Sequence, residues 1–196
     1  MYKKYIKRLL GFIFSLLGLP VFALIFIVVA PVIFMEDHGP IFYNCSRLGR
    51  NGKVYKMFKF RTMKVNAPDL RNKDGTTYNS ENDPRLTKIG RILRKTSLDE
   101  TPQLLNVLIG NMSFIGPRPD LPTSIQELYR PGDEKKLTVN PGITGYSQAY
   151  YRNSSTIAQR FDGDVFYAEN ISFLLDVKIF FRTIKTVFMH ENIYRN

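Results

Sequence analysis

Thiol and imidazole groups are scarce in this chain of 196 residues. Its one cysteine, Cys45, excludes an intrachain disulfide and fits a reducing compartment. Cys45 is better read as a small half-buried residue than as a nucleophile. The two histidines, His38 and His190, are too few and too scattered to found a metal site, and no Cys/His cluster has zinc spacing. Acid is scarce too. Against 28 Lys and Arg stand 17 Asp and Glu, a formal charge of +11, so the expected partner is anionic: a phosphorylated small molecule, an anionic lipid surface or nucleic acid. The length suits one domain with a real core, or a small domain plus an appendage.

Charge of either sign is missing altogether from Leu9 to Phe34. That run of 26 residues exceeds the roughly 20 an α-helix needs to cross a bilayer. It is too long for a cleaved signal peptide, and no small-residue cleavage site follows it. Lys3, Lys4, Lys7 and Arg8 precede the run and favour a cytoplasmic N-terminus. Pro20, near its middle, removes a helical hydrogen bond and crowds the preceding turn, so a kink or break is expected there. A kinked spanning helix would put residues from Glu36 onward outside the cytoplasm, whereas a re-entrant hairpin would leave both ends inside. Residues 41–95 carry fourteen Lys/Arg against four Asp/Glu, and exporting so basic a segment runs against the positive-inside tendency. Charge therefore favours the re-entrant form.

Gly39-Pro40 closes the membrane element. Ile41–Tyr43 and Val54–Phe60 alternate and are aromatic, as strands are, and Arg47–Lys53 between them reads as a hairpin turn. Lys56 suits a solvated strand edge. Lys59-Phe60-Arg61-Thr62 offers an ammonium, a guanidinium and a hydroxyl suited to phosphate. Residues 66–82 read as a polar loop, a lid or a disordered segment. Asp83-Pro84 is expected to open a helix striped by Ile89, Ile92 and Leu93. Arg85, Lys88, Arg91, Arg94 and Lys95 would form its charged face.

The organising stretch follows, at Ser97-Leu98-Asp99-Glu100. Ser97 and Glu100 have capping-box spacing, which by itself accounts for one carboxylate. A helix N-terminus also lowers carboxylate pKa and offers N–H groups to an anion, so phosphate, metal and carboxylate can share the place. Neighbouring side chains point about 100° apart on a helix. One carboxylate can thus attack while the other holds Mg²⁺, a hard cation suited to carboxylate and phosphate oxygens. Pro117-Arg118-Pro119 fixes the backbone on both sides of an arginine. Pro141–Gly145 is another tight turn, and Tyr146–Asn153 is expected as a strand running into a loop, with Tyr150 and Tyr151 able to stack on a base or to pack in the core.

These motifs, taken in order, resemble the bacterial sugar transferases, the monotopic phosphoglycosyl transferases, in their short PglC-like form. The likeness rests on the apolar hairpin, Lys59–Met63, Asp83–Arg85, Ser97–Glu100, Gly116–Pro119, Pro141–Gly145, Arg152-Asn153 and the spaced Asp164, Tyr167, Asn170, Ser172 and Asp176. It implies transfer of a phospho-sugar from a UDP-sugar to polyprenol (undecaprenyl) phosphate, giving polyprenol diphosphate-sugar and UMP. Asp99 would form a covalent phosphosugar intermediate, and Glu100, with Asp99, would hold Mg²⁺. Lys59, Arg94, Arg118 and Arg152 match positions expected to contact phosphates or nucleotide. Arg61, Thr62, Arg85 and Asp176 complete the expected substrate-binding set. Leu19-Pro20 stands where relatives often have Ser-Pro, so a stabilising hydroxyl would come from elsewhere, such as Ser15.

The implied architecture is an α/β monotopic membrane protein. Residues 1–38 form the basic flank and a re-entrant helix broken at Pro20. Residues 39–196 form a catalytic domain with a small β-hairpin or sheet and several amphipathic interfacial helices, such as those around Ile171–Leu175 and Ile179–Met189. It would sit on the cytoplasmic face of a bacterial inner membrane, against membrane lipid and without nucleic acid. The rival reading is a non-enzymatic bitopic anchor whose basic domain binds anionic lipid or nucleic acid. That rival leaves Asp99-Glu100 and the ordered arginines unexplained.

Overall fold

The computed structural model describes residues 1–72, 78, 80, 82–151 and 155–189. After a π-helical turn, Tyr2–Ile6, the uncharged run folds as one helix, α1, Lys7–Asp37. Both Pro20 and Pro31 lie inside it, so the interruption expected at Pro20 is not observed. Each proline removes only one N–H donor, and the turns flanking Pro20 are braced by the rest of the chain. A Cβ on Gly18 would lie 3.2 Å from Leu104, and Phe22 packs on Phe60 with ring centroids 6.2 Å apart. Ser15 is fully buried and its Oγ lacks a partner, so it supplies no compensating hydrogen bond. His38 ends α1 in the left-handed conformation, its N–H returning to the Phe34 carbonyl.

The hairpin is present, shorter than the aromatic pattern suggested. Strands β1, Cys45–Leu48, and β2, Val54–Met57, pair antiparallel around a turn in which Asn51 and Gly52 have φ of 57° and 72°. Beyond it the chains stay close, with a bridge between Phe42 and Phe60. Lys56 lies on the exposed edge and donates to Ser46, as a solvated strand residue does.

The next helix, α2, Lys88–Thr96, starts later than expected. Thr87, rather than Asp83, caps it by accepting from the Gly90 N–H, while Asp83 is fully buried against Arg85. Then come α3, Gln103–Ile109, and β3, Ser113–Ile115. A short α4, Ser124–Glu127, and a 3-10 segment, Asp133–Thr138, lead to β4, Gly142–Thr144, which pairs parallel with β3. Tyr146–Tyr150 forms a helix, α5, where a strand was expected; its rings cluster, with Tyr146 and Tyr150 centroids 4.6 Å apart. Helices α6, Ile157–Glu169, and α7, Phe173–Phe188, complete the described chain.

Three apolar clusters hold these pieces together. Cys45, Tyr55, Met57, Val107 and Met112 join the hairpin to α3. Val29, Ile33, Phe60 and Leu93 join α1 to α2. Ile115, Ala149, Tyr167 and Ile179 join β3 to α5, α6 and α7. The outer face of α1 and much of α7, including Phe173, Leu174, Phe180 and Phe181, remain exposed and apolar. So large an apolar surface marks a membrane or protein contact rather than a water-facing one.

Candidate active site

The carboxylates stand on a 3-10 turn, Leu98–Glu100, between α2 and α3. Ser97 makes the reversal: with φ of 59° it ends α2 in the left-handed conformation, and its side chain forms no cap. The capping box is therefore absent, and Glu100 is available to a different partner. That partner is Lys59, whose Nζ donates to Glu100 at 2.7 Å and lies 3.7 Å from Asp99 Oδ2. The Phe60 N–H also donates to the Asp99 carbonyl at 3.0 Å, which fixes the Lys59 segment against the turn.

Arg94, in the last turn of α2, donates from Nε to Thr62 Oγ1 at 3.1 Å. That approach needs Gly90, because a Cβ there would sit 2.0 Å from the Thr62 carbonyl oxygen. Gly116 also approaches the backbone leading into β4 closely: a Cβ on it would lie 2.5 Å from the Asn140 carbonyl oxygen. The following Pro117-Arg118-Pro119 presents Arg118 as its exposed member.

Electrostatics tie these groups into one site. Burial pushes the Asp99 carboxyl up; Lys59 pulls it down, Glu100 pushes it up and Arg94 pulls it down, and the net is above the ordinary carboxylate range. Burial also works against the Lys59 charge, but Glu100 and Asp99 outweigh it and hold the ammonium above the usual lysine value, with Arg118 opposing. A buried, desolvated carboxylate beside a lysine and two arginines is suited to chemistry on a phosphate, where developing negative charge needs fixed positive groups.

The sequence profile of the bacterial sugar transferases matches residues 2–190, almost the whole chain. The chain belongs to that family. Among its relatives is the exopolysaccharide production protein ExoY of Sinorhizobium fredii, 38% identical over 199 residues, covering 96% of this chain and 88% of the relative. The uncharacterized sugar transferase EpsL of Bacillus subtilis is 38% identical over 188 residues, covering 96% and 90%. The undecaprenyl-phosphate galactose phosphotransferase of Salmonella typhimurium is 38% identical over 170 residues, covering 81% of this chain but 36% of that longer protein. Membership makes this bacterial sugar transferase an enzyme and sets aside the non-enzymatic anchor.

Within this candidate site, the structure brings together Asp99, Glu100, Lys59, Thr62, Arg94 and Arg118. It engages three other expected binding residues elsewhere. Arg61 is buried and directs its guanidinium to both Asp37 oxygens and to the carbonyls of Ile33, Pro40 and Met63, so it clamps the end of α1. Arg85 pairs with Asp83 and donates to the carbonyls of Pro68 and Tyr78, so it ties those two residues to Asp83. Asp176 accepts from Tyr2, Lys7 and Tyr167, which anchors the start of α1. In each case the charged group meets a protein partner that covers it. Arg152 lies outside the described residues.

One positioning residue escaped the motif reading. Asn106 is fully buried, accepting from the Phe58 N–H at 2.9 Å and donating to the Lys56 carbonyl at 2.8 Å. It pins the strand just before Lys59. Its signal was a lone amide inside the apolar run Leu104–Leu108. Among the described residues no group of three or more acidic, histidine or cysteine side chains converges as a metal cage. Two adjacent carboxylates do fit Mg²⁺, which commonly takes one or two carboxylates and fills its shell with water and phosphate oxygens.

Proposed function

We propose that this enzyme moves a phospho-sugar from a UDP-sugar to polyprenol phosphate, releasing UMP and leaving polyprenol diphosphate-sugar. The Asp99–Glu100 pair, closed by Lys59 and flanked by Arg94 and Arg118, carries this reading. The name of the Salmonella relative supports undecaprenyl phosphate as the acceptor.

In the proposed route Asp99 Oδ attacks the sugar-bearing phosphorus, the bond to the bridging oxygen breaks, and UMP departs with that electron pair. An oxygen of polyprenol phosphate then attacks the same phosphorus and releases the Asp99 carboxylate. Burial strips Asp99 of water, which makes its ionised form a stronger nucleophile, while Lys59 keeps that form accessible. Lys59 and Arg118 would neutralise the diphosphate, and Thr62 orients Arg94. Glu100 and Asp99 would hold Mg²⁺, which supplies charge neutralisation on the phosphate oxygens.

The monotopic arrangement is part of the proposal. Both ends of α1 are tied to the same domain: Lys7 to Asp176 at the start, Asp37 to Arg61 at the end. An interfacial helix held at both ends would leave the site on the cytoplasmic face, where UDP-sugar and lipid phosphate meet. A lipid substrate resists leaving the bilayer at about 0.8 kcal/mol per CH₂, so the enzyme must work at the interface.

Intact mass of the purified protein after exposure to UDP-sugars with Mg²⁺ tests the route. A phosphosugar-sized adduct on the wild type, absent from Asp99→Asn, is expected. UMP release without an adduct would instead mean direct transfer, with Asp99 reduced to a metal ligand.

A further inference from the structure

Away from the carboxylates lies a buried charged cluster that the proposed chemistry does not use. Lys136 is 2% exposed and donates to Asp120 at 2.7 Å and to Asp164 at 2.6 Å. Asp164, 0% exposed, also accepts from Ser147, and Asp120, 7% exposed, accepts from Tyr129 at 3.0 Å and Arg160 at 3.4 Å. Burial pushes the Asp120 carboxyl up, but Lys136 and Arg160 more than offset this and hold it below the usual range. Desolvating three charges is costly, and such groups often add less stability than apolar packing would. Their effect is better sought in what they hold in place.

What they hold is the far end of the arginine turn. Gly116 donates to the Thr144 carbonyl and the Pro117 carbonyl accepts from Gly142, both at 2.9 Å. Three residues beyond Pro117, the Asp120 carbonyl accepts from the Leu48 N–H at 2.9 Å while its side chain enters the charged cluster. Arg118 is the exposed residue between these two fixed points, with a proline on each side. Leu48 pairs with Val54 in the hairpin that continues to Lys59. The turn and the hairpin that leads to Lys59 are therefore braced against each other.

Resting on the site reading above, we infer that Asp120, locked by Lys136 and Arg160, is a positioning residue that aims Arg118 at the diphosphate of the nucleotide substrate. Asp120 touches no substrate in this account; its effect passes through Arg118 alone. A group acting only through Arg118 should have no influence once Arg118 is gone, whereas a merely structural residue should weaken the protein in either background.

Titration calorimetry of full-length protein in nanodiscs with UDP and Mg²⁺ tests this. Arg118→Ala should weaken UDP binding about 10- to 100-fold, the loss of a charge-assisted bond. Asp120→Asn should weaken it roughly 5-fold alone and by less than about 2-fold on top of Arg118→Ala, because non-interacting sites add and coupled ones do not. Arg160→Gln, at the solvent side of the cluster, should act in the same direction and carries the test if Asp120→Asn does not fold. Multiplying effects, or wild-type affinity in Asp120→Asn or Arg160→Gln, would overturn the inference. Undiminished affinity in Arg118→Ala would overturn it while leaving the carboxylate site intact. A wild-type protein without affinity for UDP would remove the site reading and this inference together.

Discussion

The cationic side chains expected to bind substrate divide, among the described residues, into those enclosed by protein acceptors and those turned toward the carboxylates. Arg85 is of the first kind. Its partner Asp83 is fully buried: burial pushes that carboxyl up, but the Arg85 bonds outweigh it and the net is below the ordinary value. A depressed carboxylate stabilises the fold above its unfolded pKa, and that contribution is lost as pH falls through the lower folded value. Asp83→Asn should thus destabilise the protein by about 3 kcal/mol at pH 7, since it strands a buried guanidinium. The deficit should shrink as pH falls below the ordinary carboxylate value, where the wild type begins to lose this contribution, and melting curves at pH 7 and pH 3 check it. Asp99 has the opposite sign. Its raised pKa means that folding disfavours its charge, so stability falls as pH rises from the unfolded to the folded value. Asp99→Asn should abolish adduct formation yet raise Tm at pH 7 by about 2–8 °C, a shift expected of roughly 1 kcal/mol. An unchanged or lower Tm would mean that Lys59 fully compensates the buried charge.

At the scale of elements, close backbone approaches set the catalytic geometry. Helix α2 lies against Thr62 because Gly90 has no side chain, and Arg94 is carried one turn further along the same helix. Gly90→Ala should push α2 away and slow adduct formation by about 10²-fold, the scale expected when a charged group is displaced by about 1 Å. Gly52→Ala, on the hairpin turn where a Cβ would meet nothing, should cost only about 1 kcal/mol of stability and leave the rate unchanged. Single-turnover rates and melts of the two variants separate these effects. The hairpin was legible because Asn-Gly declares its own turn and its flanking residues alternate. The carboxylates and Lys59 were legible as chemistry, but their contact joins residues 59 and 100, and no local pattern encodes that distance. Asp83 looked like a cap because Asp-Pro is a common helix opening; a local ion pair with Arg85, two residues on, took its side chain first. Ser97 looked like a cap by spacing, yet the chain needed a left-handed reversal there. Tyr146–Tyr150 has strand-like composition, but its rings and Ala149 pack as a helical face against α6 and α7. Arg61 and Asp176 were read as ligands because a sequence shows charge without showing which acceptor covers it.

The whole molecule poses a length problem around α1. Thirty-one helical residues extend about 46 Å, more than the roughly 30 Å of bilayer hydrocarbon, so length alone permits crossing. The contacts argue otherwise, because they run along the entire helix. Tyr2 and Lys7 hold Asp176, Arg8 donates to the Val107 and Leu108 carbonyls, and a Cβ on Gly11 or Gly18 would touch α3. Further along, Phe26 stacks on Phe60, Glu36 accepts from the Lys88 and Ile89 N–H groups, and Arg61 grips Asp37. If α1 crossed the bilayer, the domain would have to be threaded with it, burying Lys59, Asp99 and Arg94 in hydrocarbon. Their charge opposes that. The turn before α1 meets α7 through Tyr2 and Phe173, whose rings pack edge to face at 5.8 Å, so the apolar faces of α1 and α7 can rest in one leaflet. The expected topology therefore places both ends of α1 on one side. In a Cys45→Ala background, single cysteines replacing Lys4 and Lys64 should react with an impermeant thiol reagent in inside-out vesicles. Both should be protected in spheroplasts. Labelling of the two positions from opposite sides would establish a spanning helix and place the site across the membrane from its nucleotide.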